Sequence, residues 1–271
     1  MRKHHGTLQN GVNMLNKKPL GQTGIEISPL GLGTVKFGRN QGVKYPEGFD
    51  IPSEETLSEL LTLAHDLGIN MLDTAPAYGI SEERLGRLLS GQRNKWIIVC
   101  KAGEEFEDGQ SSYNFTPDHF KYSLDRSLKR LNTDHIDIFL VHSDGQDIEI
   151  LQNDDLIKTM NSFKEQGLVR AIGASTKTHD GGIKALELMD IVMAMYTRDY
   201  QDEKAVLDYA AQCNKGVILK KTLSSGHSDN IDGAFRFSLS HQAVDSLIVG
   251  TINPVHLKKN VEIIKGIINK G

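Results

Sequence analysis

The chain repeats one unit along most of its length: a short run of aliphatic and β-branched residues, followed by a longer segment with helical periodicity. The runs fall at 30–34, 70–73, 96–101, 136–142, 169–175, 191–196, 217–221 and 246–250. Strands that alternate with helices through short connections predict a parallel sheet covered by helices, and about eight repeats predict closure into a (β/α)8 TIM barrel. A barrel of this kind typically needs about 250 residues. The chain has 271 residues, so 19–271 is expected to form a single barrel domain and 1–18 a flexible N-terminal tail. Ahead of the first run, Leu20-Gly21-Gln22-Thr23-Gly24-Ile25-Glu26-Ile27-Ser28 alternates apolar residues around a Gly-containing turn and predicts an N-terminal β-hairpin.

Helix signals sit between the runs. Ser53 before Glu54 and Glu55, Ser81 before Glu82 and Glu83, Thr116 before Pro117, and Asn253 before Pro254 are expected N-caps; Gly68, Gly167 and Gly216 are expected at helix ends. The competing fold is a doubly wound sheet with a dinucleotide fingerprint after its first strand. Gly31-Leu32-Gly33-Thr34-Val35-Lys36 has lysine at the third glycine position, and the stretch to Pro52 is rich in Gly and Pro, so that context fails.

Net charge is -4 with Lys and Arg scattered along the chain, which argues against nucleic-acid and anionic-membrane partners. Two cysteines, no CxxC and no Cys/His cluster give neither a disulfide framework nor a metal site, so no metal is expected. No secretory signal and no run of membrane-spanning length is recognised, which makes the cytoplasm the default location.

Asp73, Tyr78, Lys101 and His142 each stand at or just past the end of a β-type run. In a closed parallel barrel those ends share one rim, where residues distant in sequence meet. Each has a structural alternative: a turn cap for Asp73, a packed loop aromatic for Tyr78, a solvated strand end for Lys101, a satisfied histidine for His142. Together they make a proton-donating unit. A phenol ordinarily titrates near 10, so a tyrosine acid gains from a cation that stabilises phenolate. Lys101 supplies the cation, Asp73 keeps it charged and in place, and His142 orients a carbonyl oxygen.

Asp73-Thr74-Ala75-Pro76-Ala77-Tyr78-Gly79, with Ser81-Glu82-Glu83 and Leu85-Gly86 after it, resembles the signature of the aldo-keto reductase superfamily, and Lys101 and His142 stand at the matching places. The likeness runs from the entry hairpin to Gly250-Thr251-Ile252-Asn253-Pro254 and Asn260. It implies that Asp73, Tyr78, Lys101 and His142 form a catalytic tetrad with Tyr78 as proton donor. It also implies a nicotinamide cofactor extended across the barrel top, NADP (NADPH) by family prior with NAD possible, and a small-molecule carbonyl substrate. A monomer or weak oligomer is expected.

The resemblance carries further cofactor positions. Thr34 ends the first run. Ser175 matches a serine that contacts the nicotinamide carboxamide, followed here by Thr176 where Asn is usual. Met193 replaces a usual Gln, and Tyr196 is matched to the aromatic that stacks on the nicotinamide ring. Lys221, Gly250, Thr251, Asn253, His256 and Asn260 are matched to the phosphate and adenosine end, where the helix after 250–253 offers its N-terminus to phosphate. Many NADPH-specific members place Lys and Arg at the positions of Gly250 and His256. Segments 35–52 and 104–116 are expected to overhang the pocket, and the short C-terminus implies an open site. Two other functions stay in play: a cofactor-binding regulatory or sensor protein with little turnover, and a Schiff-base enzyme using Lys101, which the neighbouring Asp73 disfavours.

Overall fold

The computed structural model describes residues 14–269. Residues 1–13, most of the expected tail, lie outside the described residues. The last part of that expected tail is packed: Leu15 is buried, and its N–H donates to the Leu67 carbonyl.

The entry hairpin forms from β1 (Lys18–Pro19) and β2 (Glu26–Ile27), which pair antiparallel. Eight parallel strands then close a barrel: β3 (Leu30–Gly33), β4 (Met71–Asp73), β5 (Ile97–Ala102), β8 (Ile136–His142), β9 (Val169–Ser175), β10 (Ile191–Ala194), β11 (Gly216–Leu219) and β12 (Ser246–Val249). Between β5 and β8, β6 (Glu104–Glu107) and β7 (Gln110–Tyr113) form a separate antiparallel hairpin over the barrel mouth. The helices are α1 (Val35–Gly38), α2 (Glu54–Asp66), α3 (Ser81–Leu88), α4 (Pro117–Arg130), α5 (Asp147–Leu151), α6 (Asp154–Glu165), α7 (His179–Leu188), α8 (Lys204–Cys213), α9 (Ile231–Leu239) and α10 (Pro254–Ile268).

Three of the expected N-caps do their work: Ser53, Thr116 and Asn253 accept N–H bonds from the first turns of α2, α4 and α10. Ser81 does not. It is already inside α3, and its hydroxyl meets those of Thr34 (2.8 Å) and Thr74 (3.2 Å), tying three connections together beneath the site. Gly68 and Gly167 close their helices with positive φ, whereas Gly216 opens β11 and the left-handed residue after α8 is Asn214. Gly216 is small for packing reasons, since an added Cβ would lie 2.5 Å from Ile191 and 2.7 Å from Leu20.

Successive strand side chains point to opposite faces. Met71, Val99, Ile138, Leu140, Ala171 and Ile218 fill the barrel interior, closed from below by Leu20, Ile25 and Ile27 of the hairpin. Their neighbours in the strands, among them Leu72, Ile98, Val141 and Leu219, face the helices. Burying each of the three hairpin residues is worth about 1.5–3 kcal/mol, so the hairpin is an energetic plug as well as a lid.

A fourfold device fixes the lower rim. Just before, or one residue into, each even-numbered barrel position, a polar side chain accepts the N–H of the preceding strand or its lead-in. Asn70 takes Ser28 (2.7 Å), Asp137 takes Ile98 (2.9 Å), Asp190 takes Ile172 (2.9 Å) and Asp245 takes Val217 (2.9 Å). Cations complete the acids: Arg93 and Arg170 on Asp137, Lys164 on Asp190 and Lys18 on Asp245.

Candidate active site

At the opposite rim, Asp73 ends β4 and pairs in register with Val99, so Lys101 stands two residues further along β5, one residue from its end, on the same face. Their side chains share the parity of Met71 and Val99 and face inward. Lys101 Nζ donates to Asp73 Oδ1 (2.5 Å), to the Thr74 carbonyl (3.0 Å) and to Tyr78 Oη (3.0 Å), and Tyr78 Oη lies 3.4 Å from Asp73 Oδ2. All three ammonium donors are thereby used, on a lysine that is almost wholly buried.

Tyr78 reaches this point from a single 3-10 turn, Pro76–Tyr78, after the strand. Two glycines let the turn pack closely. Gly79 takes a φ of 63°, and an added Cβ on Gly38 would lie 2.2 Å from the Ser81 nitrogen and 2.6 Å from the Tyr78 carbonyl. Arg39 donates to the Ala77 carbonyl (2.9 Å) and secures the turn from the other side. His142 ends β8, and its ring stands edge-on to that of Tyr78 with centroids 6.2 Å apart.

Electrostatics set the resting protonation. Burial pushes the Tyr78 phenol up, Asp73 pushes it further, and Lys101 only partly opposes them, so the phenol keeps its proton. Burial pulls the Lys101 ammonium down, but Asp73 and Tyr78 more than offset this and raise it overall. Burial, then Lys101, Lys220, Lys177 and Arg39, hold the His142 imidazole well below its ordinary value, which keeps it neutral. Its Nδ1 lies 3.2 Å from Glu104 Oε2 on the hairpin β6–β7, without hydrogen-bond angles. A buried acid, a fixed cation and a neutral imidazole at one rim can deliver a proton to a developing alkoxide.

The cofactor candidates divide by strand parity. Ser175 ends β9 on the inward face, paired in register with His142. Thr176 is buried with its hydroxyl unpartnered among the described residues, and Met193 belongs to the barrel interior. Tyr196, by contrast, is turned outward. It shares the parity of Val192 and Ala194, is buried in the outer core, and stacks on Phe237 of α9 with centroids 4.8 Å apart. One face of the ring is thus covered by Phe237, on the helix side of the strand rather than over the barrel mouth. Thr34 is outward as well: its hydroxyl donates to the Asp73 carbonyl (2.9 Å) and meets Ser81, so it braces the strand that carries Asp73.

Lys221 is exposed, with a φ of 56°. The lysine that points to the rim is its neighbour Lys220, whose Nζ donates to Ser175 Oγ (2.8 Å) and to the Thr176 carbonyl (2.6 Å). The signal for it was available: it directly follows an apolar run, as Lys101 does, and shares the inward parity of Ile218.

Gly250 follows β12 beneath Tyr45, whose Oη would lie 3.1 Å from an added Cβ. Thr251 Oγ1 accepts from the Asn253 N–H (3.1 Å), and Asn253 Oδ1 accepts from Val255 (2.8 Å) and His256 (3.4 Å). Pro254 has no N–H and Leu257 donates to the Asn253 carbonyl, so the α10 N-terminus is already capped by its own chain. An anion at this helix end would have to displace the Asn253 side chain. His256 is exposed, and Asn260 is buried with Oδ1 unpartnered among the described residues. Unpartnered polar atoms on Thr176, Thr222 and Asn260, together with Lys220, fit a polar ligand lying along this side of the barrel.

Among the described residues, no group of three His, Cys, Asp or Glu side chains could hold a metal ion, and no helix is long and apolar enough to cross a membrane. The model of the aldo/keto reductase family matches residues 29–233. A crystal structure of a putative aldo-keto reductase from Pseudomonas aeruginosa is 46% identical, with a TM-score of 0.88 over 96% of this chain and 99% of that one. Aldo-keto reductase YhdN of Bacillus subtilis is 30% identical over 76% of this chain and 62% of its own length. The NADH-specific methylglyoxal reductase of Escherichia coli is 31% identical over 68% of this chain and 59% of its own length. The matches thus span less than two thirds of these two curated relatives.

Proposed function

Because the chain belongs to the aldo/keto reductase family of oxidoreductases, we propose that it reduces aldehyde or ketone carbonyls of small molecules to alcohols with a nicotinamide dinucleotide. The observation that carries this reading is the Lys101 ammonium, bonded at once to Asp73, Thr74 and Tyr78.

A bound reduced nicotinamide supplies the hydride to the carbonyl carbon. The chain's own residues handle the oxygen. Tyr78 gives its proton to that oxygen as negative charge develops on it, and Lys101, 3.0 Å away, stabilises the phenolate left behind. Asp73 keeps Lys101 charged where burial alone would neutralise it. His142, kept neutral by burial and then by the cations around it, has one ring N–H with which to orient the carbonyl. Ser175 would hold the carboxamide, and Thr176, Thr222 and Asn260 carry polar atoms for the rest of the ligand.

NADPH remains the family expectation. The E. coli relative is named for NADH, and neither Gly250 nor His256 supplies a permanent cation for a 2'-phosphate, so NADH is the second candidate. The test is turnover of NADPH and NADH in parallel against a panel of aldehydes and ketones, followed by cofactor fluorescence. Wild type is expected to oxidise one cofactor with a carbonyl present, and Tyr78→Phe to bind it without turnover. Equal turnover by the variant removes Tyr78 as the acid.

A further inference from the structure

Lys220 is the inward-facing strand-end lysine that the proton-transfer unit leaves unused. Its place is fixed by geometry. His142 and Ser175 are direct partners across β8 and β9, Ser175 and Met193 are partners across β9 and β10, and Lys220 follows β11. The Lys220 side chain spans the end of β10 and bonds Ser175 Oγ at 2.8 Å. A ring that passes hydride to a carbonyl held by Tyr78 and His142 has to lie at this level of the rim. The neighbours offered there are Ser175, apolar Met193 and the Lys220 ammonium, since Tyr196 is committed to Phe237.

Two of the three Lys220 donors are used, by Ser175 and the Thr176 carbonyl; the third meets no acceptor among the described residues. Among the described residues no ion pair within 4.0 Å neutralises it either, whereas Lys101 has Asp73. We propose that Lys220 is a cofactor-contact residue that donates to the nicotinamide carboxamide beside Ser175, and whose positive charge makes the site prefer the reduced over the oxidised cofactor. This rests on the nicotinamide reading above. The physical reason is simple: the oxidised ring carries a positive charge and the reduced ring is neutral, so a nearby cation repels only the former.

The charge is titratable. Burial lowers the Lys220 ammonium to about 8. Glu203 and Asp147 face it and support the charge; Lys221 and Lys177 oppose it, and Lys220 in turn acts on His142. Glu203 is itself raised by burial to about 7. The ammonium is therefore present below pH 8 and lost above it, and the preference for the reduced cofactor should fade as pH rises through that value.

The experiment is calorimetric or fluorescence titration of the full chain with the reduced and oxidised forms of each dinucleotide, below and above pH 8. The proposal expects the ratio of oxidised to reduced Kd to fall with pH in wild type. In Lys220→Met that ratio should be lower by roughly ten-fold or more and flat with pH, a modest effect for a unit charge a few ångströms away. Lys220→Arg, which stays charged, should keep the preference above pH 8, and this arm holds even if the methionine variant folds poorly. Glu203→Gln should move the transition to lower pH, because the carboxylate that supports the ammonium is gone. An unchanged ratio in Lys220→Met, or loss of the preference in folded Lys220→Arg, overturns the proposal. Binding of neither dinucleotide by wild type overturns the cofactor reading and this inference with it.

Discussion

At the lower rim of the barrel, Asp137 spends its carboxylate on the Ile98 N–H, Arg93 and Arg170, while at the upper rim Asp147 Oδ1 and Glu203 Oε2 are buried without a hydrogen-bond partner among the described residues. Both rims are made of acids and bases at strand ends. Below, each carboxylate of the fourfold device is matched to a backbone donor and a cation, and the charges close the barrel. Above, Lys101 and Lys220 draw on neighbours that also hold Tyr78, Ser175 and Thr176 in place. The contrast teaches that a charged residue type carries little information by itself. What it is bonded to separates a strut from a reactive group: Asp137 holds a backbone N–H and two guanidinium groups, whereas Lys101 holds the phenol of Tyr78.

The comparison yields tests that pull the rims apart. The largest effect is expected above: Tyr78→Phe should lower kcat roughly a hundred-fold or more with only a small fall in the thermal midpoint, since the proton donor goes and Lys101 loses one hydrogen-bond acceptor. Steady-state kinetics and calorimetry on the same preparation check it. Below, Asp137→Ala strands two guanidinium groups and the Ile98 N–H, and should cost about 3–5 kcal/mol of stability in urea unfolding. Turnover per folded molecule should not change; a loss of kcat at constant fold would break the division.

A third test concerns pH. The folded protein holds His142 neutral well below the ordinary 6.5, whereas the unfolded chain protonates it near that value. The unfolded state therefore binds the extra proton, and stability should fall as pH drops below 6.5. Urea midpoints as a function of pH should decline less steeply in His142→Asn than in wild type. The smallest effect on binding is expected at Tyr196→Leu, which removes the aromatic ring and its stack on Phe237: cofactor Kd should be unchanged. A weakened Kd would restore Tyr196 to the site.

Much of this arrangement was legible before any coordinates. The repeat of apolar run and helical segment predicts the barrel because each period has a distinct physical cause, and Asp73, Lys101 and His142 stand out as ionisable groups ending buried runs. Side-chain parity divides the remaining candidates. Thr34, Tyr196 and Lys221 are strand-end residues on the outward face, by the parity of Leu32, Ala194 and Leu219. Ser175 and Lys220 share the inward parity of Ala171 and Ile218. Strict alternation from the run centres sorts them, and matching by resemblance alone does not. The lower device was harder to see, because Asn70, Asp190 and Asp245 look like ordinary polar residues before a strand.

The sequence by itself determined the number of barrel strands, the entry hairpin and the ionisable residues that end them, because periodicity and residue chemistry are local properties. Tertiary structure alone decided that Lys101 meets Asp73 and Tyr78, that the α10 N-terminus caps itself, and that Lys220 rather than Lys221 reaches Ser175. Those outcomes depend on barrel closure and on which face each side chain takes, since a shift of one residue along a strand exchanges the pocket for the helix layer.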